Sequence, residues 1–293
     1  MNSFRGRTGK FPWINVVLFV LTCCSTTIVG TLLMSAFKAS QEYDIFSEIL
    51  RNPAVLISGL PFSISIMTIL FAHEMGHYLT CVYYGIDATL PYFIPSPLGT
   101  MGAFIKIRSP FQHRGALLDV GVAGPIAGFV LAVPTLIVGL WYSRFVVADP
   151  AYGGISFGDP LVFKIFEYVL GRIPPAGMEL YLHPIAVAAW FGCLATTMNL
   201  LPAGQLDGGH MTYAIFPNLH RRISTGLVIA LIPLGIWYWQ GWLVWAVLLL
   251  ILRLRHPITM QDELPLERRH LWLGWIGLAM FILCFMPMPI SIT

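Results

Sequence analysis

The chain has 293 residues, of which 57% are hydrophobic and only 11% are charged, with a net charge of +3 at pH 7. A soluble globular domain carries about 25% charged residues on its water-facing surface, so this composition excludes that class and indicates a polytopic membrane protein. The basic residues stand singly or in pairs beside apolar runs, which is not the pattern of a nucleic-acid-binding protein. We therefore expect the lipid bilayer as its surroundings and no nucleic acid among its partners.

Seven apolar runs follow one another along the chain. They lie at 12–37, 54–84, 116–142, 183–201, 223–239, 241–254 and 271–286. A spanning helix needs about 20 residues, so the short pair flanking Gln240 is the least secure, and we predict six to seven transmembrane helices in an all-α fold. A cytoplasmic N-terminus places most Lys and Arg residues on cytoplasmic segments, as the positive-inside rule requires.

No repeat or charged linker divides the chain. We predict one transmembrane domain over residues 1–293, with a core at about 54–217 and C-terminal helices at about 223–286. The short N-terminus shows no organellar transit peptide, which predicts the cytoplasmic membrane of a prokaryote. The alternative is an organellar protein whose leader has been removed. The sequence does not specify the oligomeric state.

The pentad His73-Glu74-Met75-Gly76-His77 lies inside the second apolar run. Residues four apart share a helix face, so both imidazoles can bind one metal ion with Glu74 beside them. Two helical histidines in this pattern bind Zn²⁺ together with a third protein ligand and a water, and the glutamate acts as general base. Ionisable groups at membrane depth are costly and usually functional. The alternative is that the two histidines and the glutamate are hydrogen-bonded side chains in the core of a helix bundle and bind no metal.

A third ligand must come from another part of the chain. Asp207 is the best candidate, because it follows the end of the fourth apolar run and precedes two glycines that permit tight turns. The charge distribution also places it on the same membrane side as the histidines. His210 is the alternative ligand, Glu179 is disfavoured by its assignment to the opposite side, and Asp207 could instead cap a short helix.

Three motifs occur in a characteristic order: the pentad, then Gly124-Pro125-Ile126-Ala127-Gly128, then Asn199-x-x-Pro202 leading to Leu206-Asp207-Gly208-Gly209. Together they resemble the site-2 protease family of intramembrane zinc metalloproteases over about residues 54–217. The resemblance implies Zn²⁺ held by His73, His77 and Asp207, with Glu74 as general base and Asn199 holding substrate or the developing oxyanion. It also implies cleavage of transmembrane helices. No segment has the size of the PDZ domain that many members carry, so the chain resembles the smaller branch.

Residues 86–110 interrupt the helical pattern with four prolines and a strand-like alternation from Gly102 to Arg108. Irregular backbone beside a membrane is tolerated where protein or a water-filled cavity satisfies it, which predicts a re-entrant hairpin near the active site. The alternative is an ordinary cytoplasmic loop. A free hairpin edge could bind unwound substrate as an added strand, and we expect that edge at Phe104, Ile105, Lys106 and Ile107.

Asp119, near the start of the third run, admits two interpretations. It could orient a ligand histidine, or it could pair with Arg114 or His113 near the membrane interface, and we favour pairing.

The leading hypothesis is an intramembrane zinc endopeptidase acting on a transmembrane protein or peptide. The alternative hypothesis is a zinc transporter or metal sensor that uses the same ligands without hydrolysis. A transport route would require polar groups across the bilayer, whereas the first, third and last runs carry almost none in their centres.

Overall fold

The computed structural model describes residues 11–38, 45–147, 155–251 and 258–292. Helices contain 66% of the residues, which confirms a mainly helical fold. In chain order the helices are α1 (Trp13–Lys38), α2 (Ile45–Arg51), α3 (Leu60–Tyr83), α4 (Arg114–Tyr142), α5 (Leu161–Val169), α6 (Pro184–Asn199), α7 (Asp207–Ile215), α8 (His220–Trp237), α9 (Gly241–Ile251) and α10 (Arg268–Cys284). The basic residues at 5, 7 and 10, which support the predicted orientation, lie outside these ranges.

Six short strands accompany the helices and form three two-stranded antiparallel sheets in the described residues. The strands are β1 (Tyr92–Ser96), β2 (Gly99–Phe104), β3 (Arg144–Val147), β4 (Ile155–Phe157), β5 (Met178–Tyr181) and β6 (Ile290–Ile292). Strand β1 pairs with β2, β3 with β5, and β4 with β6. The β1–β2 hairpin lies in the segment where the sequence predicts one, and the other two sheets were not predicted.

Three described helical segments are long and apolar enough to cross a membrane. They are Trp13–Lys38, Pro53–Tyr83 and Arg114–Tyr142, with 26, 31 and 29 residues. Helices α6, α8 and α10 contain 16, 18 and 17 residues, and α9 contains 11. These segments indicate membrane association, whereas the total of six to seven spans stays a prediction.

Helices α3 and α4 pack against each other so closely that backbone meets backbone. A Cβ placed on Gly76 of α3 would lie 2.5 Å from the carbonyl oxygen of Ala123 on α4. A Cβ placed on Gly124 of α4 would lie 2.1 Å from the imidazole Nε2 of His77. Small residues permit this kind of contact between apolar helices, and here they bring α4 against the face of α3 that carries the histidines.

The β1–β2 hairpin runs along α1. At its base the side-chain amide of Asn15 donates hydrogen bonds of 2.9 Å to the carbonyls of both Leu90 and Pro91. Near its tip the hydroxyl of Ser25 donates to the carbonyl of Gly99 over 2.6 Å. Ten residue positions separate the two donors on α1, which is roughly 15 Å of helix. Helix α1 therefore satisfies hairpin carbonyls from its first turn to its middle.

Helix α10 closes the fold against α4, α6 and α7. One apolar cluster joins Leu117 and Leu118 of α4 to Met211 of α7 and Met280 of α10. Another surrounds the fully buried Trp190 of α6, whose indole N–H donates to the carbonyl of Gly158 over 2.7 Å. Through these two clusters, α10 packs against helices that precede it by many residues in the sequence.

Candidate metal centre

The two histidines of the pentad lie one helical turn apart on α3 and face its buried side. His73 is 5% exposed and His77 is 6% exposed. Their Nε2 atoms are 3.2 Å apart, and their rings meet edge to face. The predicted four-residue spacing therefore brings both imidazoles to one point inside the protein.

The carbonyl oxygen of Val120 on α4 fixes the orientation of the His77 ring. It lies 2.7 Å from Nδ1 of His77, and a carbonyl oxygen can only accept a hydrogen bond. Nδ1 therefore carries the proton, and Nε2 presents its lone pair toward His73. A backbone or carboxylate acceptor on the far nitrogen is the usual partner of a metal-binding histidine.

Asp207 reaches the same point from α7. This helix begins at Asp207 itself, and the preceding residue, Leu206, provides no side-chain cap. Carboxylate atom Oδ2 of Asp207 lies 3.3 Å from Nε2 of His73 and 3.3 Å from Nε2 of His77. Among the described residues, these three form the group of side chains able to hold a metal ion, with all ligand atoms within 4.8 Å of one another.

The donor set fits Zn²⁺ in both chemistry and spacing. Tetrahedral zinc takes nitrogen and oxygen ligands at about 2.0–2.2 Å, which separates neighbouring ligand atoms by roughly 3.4 Å. The observed separations are 3.2 Å between the imidazoles and 3.3 Å from each to Asp207. Oδ2 of Asp207 is buried and accepts no hydrogen bond from any described residue. A buried carboxylate oxygen without a proton donor is costly, and a cation at this point would remove that cost.

Glu74 lies beside the ligand group and is 4% exposed. The backbone of Ile105, just beyond β2, hydrogen-bonds its carboxylate. On one side of Ile105, Phe104 is opposite Tyr92 of β1, and on the other side Lys106 bonds Thr89, which precedes β1. The register of these two contacts differs by one residue, so Ile105 lies at an irregularity of the hairpin.

Asn199, the last residue of α6, also reaches the ligand group. Its side-chain nitrogen lies 3.2 Å from Nε2 of His73. The structure thus places the predicted polar residue at the rim of the candidate metal centre rather than at a distance from it.

The four hairpin residues predicted to bind substrate differ in what they offer. Phe104 is 48% exposed and stacks on Tyr92, with ring centroids 5.4 Å apart. Both backbone groups of Lys106 are engaged by Thr89, through bonds of 3.0 and 2.9 Å. Ile107 forms an isolated bridge with Ala88. Ile105, next to Glu74, is therefore the position closest to the chemistry, while the Lys106 backbone is already bonded within the hairpin.

The two other candidate ligands lie elsewhere. His210 is in α7, where its ring contacts that of Phe111 at 5.8 Å, and it does not belong to the described ligand group. Glu179 is exposed in β5 and pairs with Val146 of β3. The preference for Asp207 over both agrees with this arrangement.

Asp119 does form an ion pair, as favoured, but with other partners than Arg114 or His113. Its carboxylate accepts a hydrogen bond of 2.5 Å from Tyr84 and lies 3.5 Å from Arg269 and 3.6 Å from His270. The sequence does not indicate these partners, because two of them lie on α10, remote in sequence. It also contains no signal for Val120, which acts through its backbone carbonyl, or for Asn15, which donates to the backbone carbonyls of Leu90 and Pro91.

Two buried histidines and a glutamate on a long apolar helix, joined by an aspartate from the short helix α7, define the class of membrane-embedded zinc metalloproteases. The model of peptidase family M50 matches residues 61–234, and the chain belongs to this family, the site-2 protease family. The predicted family, the zinc metalloprotease class and the Zn²⁺ cofactor are thereby confirmed.

Similar proteins come from plants. The chain is 31% identical over 285 residues to a protein of Arabidopsis thaliana named "Probable zinc metalloprotease EGY2, chloroplastic", which covers 95% of this chain and 48% of that protein. It is 32% identical over 247 residues to the protein of the same name from Oryza sativa subsp. indica, covering 81% of this chain and 44% of that one. The chain therefore spans less than half the length of these relatives. No solved structure matches it.

Proposed function

We propose that the protein is an intramembrane zinc endopeptidase that cleaves peptide bonds within or near the transmembrane helices of single-span membrane proteins. Membership of peptidase family M50 supports peptide hydrolysis, and the three long apolar helices support a location in a lipid bilayer. Because the chain covers less than half of its relatives, this activity is proposed for the chain itself and is not transferred from them.

The observation that carries the proposal is the convergence of two imidazole nitrogens and one carboxylate oxygen beside a buried glutamate. A metal store or a transporter needs ligands, but it needs no unliganded carboxylate held next to them. Glu74 is such a carboxylate, oriented by the backbone of Ile105. A metal site with a positioned general base is the arrangement used for hydrolysis.

In this proposal His73, His77 and Asp207 hold Zn²⁺, and Glu74 is the general base. When bound, zinc would polarise the scissile carbonyl and make water a nucleophile at neutral pH. Glu74 takes a proton from the attacking water at its carboxylate and passes it to the leaving amine nitrogen. The Asn199 side chain at the rim donates to the substrate carbonyl or to the oxyanion that develops on it.

The hairpin supports the proposal that extended substrate is bound beside the metal. A helical substrate keeps its carbonyls hydrogen-bonded, so the segment to be cut must unwind, and unsatisfied amides in a bilayer cost several kcal/mol each. The contacts of Asn15 and Ser25 run along the first half of α1, which favours a hairpin that re-enters the membrane. We expect unwound substrate to pair beside Phe104, Ile105 and Ile107, with Lys106 contributing its exposed side chain rather than its backbone.

The membrane in which the protein resides is not given by these relationships. The relatives are named as chloroplast proteins, so they do not support the prokaryotic cytoplasmic membrane predicted from the sequence. That location, with its cytoplasmic N-terminus, stays a prediction.

The direct test is cleavage of a single-span substrate by the purified, reconstituted protein and by its Glu74→Gln variant. We expect Glu74→Gln to reduce cleavage by a factor of about 100 to 10,000, because the proton acceptor is removed, and to retain zinc. Glu179→Gln, an exposed glutamate in β5, is the matched control and should cleave normally. Undiminished cleavage by Glu74→Gln would falsify the assigned general base.

Substrates can be identified in the native membrane. Single-span proteins that accumulate at full length with Glu74→Gln, but not with the wild-type protein or with Glu179→Gln, are the expected substrates. Accumulation of multi-span or soluble proteins alone would contradict the proposed substrate class.

A further inference from the structure

Asp119 is a partly buried acidic residue that the proposed hydrolysis does not use. Its side chain is 13% exposed, on the second turn of α4. Oδ2 accepts the short hydrogen bond from the hydroxyl of Tyr84 and faces the guanidinium of Arg269, while Oδ1 faces the ring of His270. A buried carboxylate is destabilising unless it is paired, and this one joins three elements of the fold.

The partners of Asp119 come from both neighbours of α4. Tyr84 directly follows the last residue of α3, two turns after His77. Arg269 and His270 lie in the first turn of α10, where Nδ1 of His270 accepts a hydrogen bond of 3.1 Å from the backbone N–H of Glu267. Because Nδ1 is an acceptor, Nε2 of His270 carries a proton, and it is this atom that faces Asp119 at 3.6 Å.

The next residue along α4 is in direct contact with a proposed metal ligand. The carbonyl of Val120 accepts the Nδ1–H of His77 and so leaves Nε2 of His77 free for the metal. Consecutive residues of α4 thus each bind a donor from α3 or from the residue that follows it: Asp119 binds Tyr84, and Val120 binds His77. A displacement of α4 that breaks the first contact moves the carbonyl that makes the second.

We infer that Asp119 is a positioning residue for the zinc site: by binding Tyr84 and the start of α10, it fixes the Val120 carbonyl that orients His77. The inference rests on the proposed assignment of His77 as a metal ligand. It gives a function to the C-terminal helix as well, because Arg269 and His270 of α10 face this carboxylate.

The test measures zinc affinity by chelator competition on the purified full chain, which requires no knowledge of the substrate. Groups that orient a metal ligand contribute about 10- to 100-fold to metal affinity. We expect Asp119→Asn and Tyr84→Phe each to weaken zinc binding about tenfold. Asp159→Asn is the control, since Asp159 forms a short ion pair of 2.5 Å with Lys164 outside the proposed metal centre. Its affinity for zinc should be that of the wild type.

A spectroscopic measurement separates positioning from general stability. The visible absorption of the Co²⁺-loaded protein reports ligand geometry, so it should shift in Asp119→Asn and Tyr84→Phe and stay unchanged in Asp159→Asn. A lower melting temperature with unchanged zinc affinity and unchanged Co²⁺ spectrum would mean that Asp119 only stabilises the fold, and would overturn the inference.

His77→Ala distinguishes this failure from failure of the proposed site. If His77→Ala abolishes zinc binding while both Asp119→Asn and Tyr84→Phe bind as tightly as the wild type, the positioning inference is wrong and the metal site stands. If His77→Ala still binds zinc with wild-type affinity, the metal site is wrong and the inference is overturned with it. Tyr84→Phe keeps the test decisive if Asp119→Asn does not fold.

Discussion

The metal centre and the β1–β2 hairpin lie side by side but are constructed in different ways. At the metal centre, side chains of α3 and α7 meet in a buried space, and the Val120 carbonyl of α4 holds one of them. In the hairpin, Phe104 is half exposed and the ladder is irregular around Ile105. The proposed metal ligands are therefore brought together within the fold, whereas the edge proposed to bind substrate is open to another chain.

The largest expected effect comes from removing a ligand. Asp207→Ala should lower zinc content from about one per chain to below about 0.1, because three protein ligands are required to hold the ion. Metal analysis after dialysis measures this. Asp87→Asn, which removes an exposed carboxylate 3.9 Å from Arg108, should retain all its zinc. Full zinc occupancy in Asp207→Ala would contradict the assignment of Asp207 as a ligand of the metal centre.

The next effect tests how closely the metal centre is packed. In Gly124→Ala the new methyl would meet Nε2 of His77 at 2.1 Å, so the ring must move and zinc affinity should fall roughly 100-fold. Gly226→Ala on α8 is the matched control, since a Cβ there meets nothing within 4 Å. The control should bind zinc normally and be slightly more stable, by up to about 1 kcal/mol in the free energy of unfolding.

The hairpin should show the opposite pattern, with reduced cleavage and intact metal binding. Ile105→Pro removes the N–H that the backbone of this residue offers to Glu74, and we expect cleavage to fall roughly 10- to 100-fold at unchanged zinc content. Ile105→Val keeps the N–H and should cleave nearly as the wild type does. Loss of zinc in Ile105→Pro would show that the two regions are not separable.

Photo-crosslinking tests substrate binding at the hairpin, with a smaller expected effect than the substitutions above. A photoreactive amino acid at Phe104, in the Glu74→Gln background, should crosslink to the substrate, because this exposed ring lies beside the proposed binding edge. Trp272 of α10 is an aromatic residue that is more exposed than Phe104, at 70% against 48%, and is the control position. Equal crosslinking from both positions would contradict substrate binding at the hairpin.

The smallest effect concerns Asp262, which accepts a hydrogen bond from Tyr213 of α7. Asp262 accepts hydrogen bonds of 2.5 Å from both Tyr213 and Thr259. Although partial burial opposes them, these bonds hold the pKa of Asp262 below its ordinary value. Its contribution to stability is therefore present above about pH 4 and is lost as the pH falls through the lowered pKa.

Asp262→Asn should accordingly destabilise the fold at pH 7 by about 1 kcal/mol, and the difference from the wild type should shrink toward pH 3. Melting temperatures across this pH range measure it, with Glu263→Gln, its exposed neighbour, as the control. A difference that stays constant with pH would exclude the assigned hydrogen bonds as its cause.

Local patterns were sufficient to predict the histidine pair. The spacing of His73 and His77 specifies a shared helix face without knowledge of the fold, and the side of the membrane on which charges accumulate placed Asp207 with them. The turn-rich segment after α3 likewise predicted a hairpin where β1 and β2 lie. These predictions depend on periodicity and charge, which a single sequence contains.

The remaining contacts depend on tertiary packing and have no local signal. The Asp119 partners Arg269 and His270 are about half the chain away, and Val120 acts through a carbonyl that every residue possesses. The irregular register around Ile105 occurs where the carbonyls of Leu90 and Pro91 accept hydrogen bonds from Asn15 of α1. Such contacts are set by helix packing and cannot be read from residue type and spacing.

X-ray absorption at the zinc edge of the reconstituted protein tests the central claim most directly. Two imidazoles and one carboxylate predict a first shell of nitrogen and oxygen atoms at about 2.0 Å, with imidazole scattering that fits two rings. A shell that contains sulfur, or imidazole scattering that fits fewer than two rings, would contradict it.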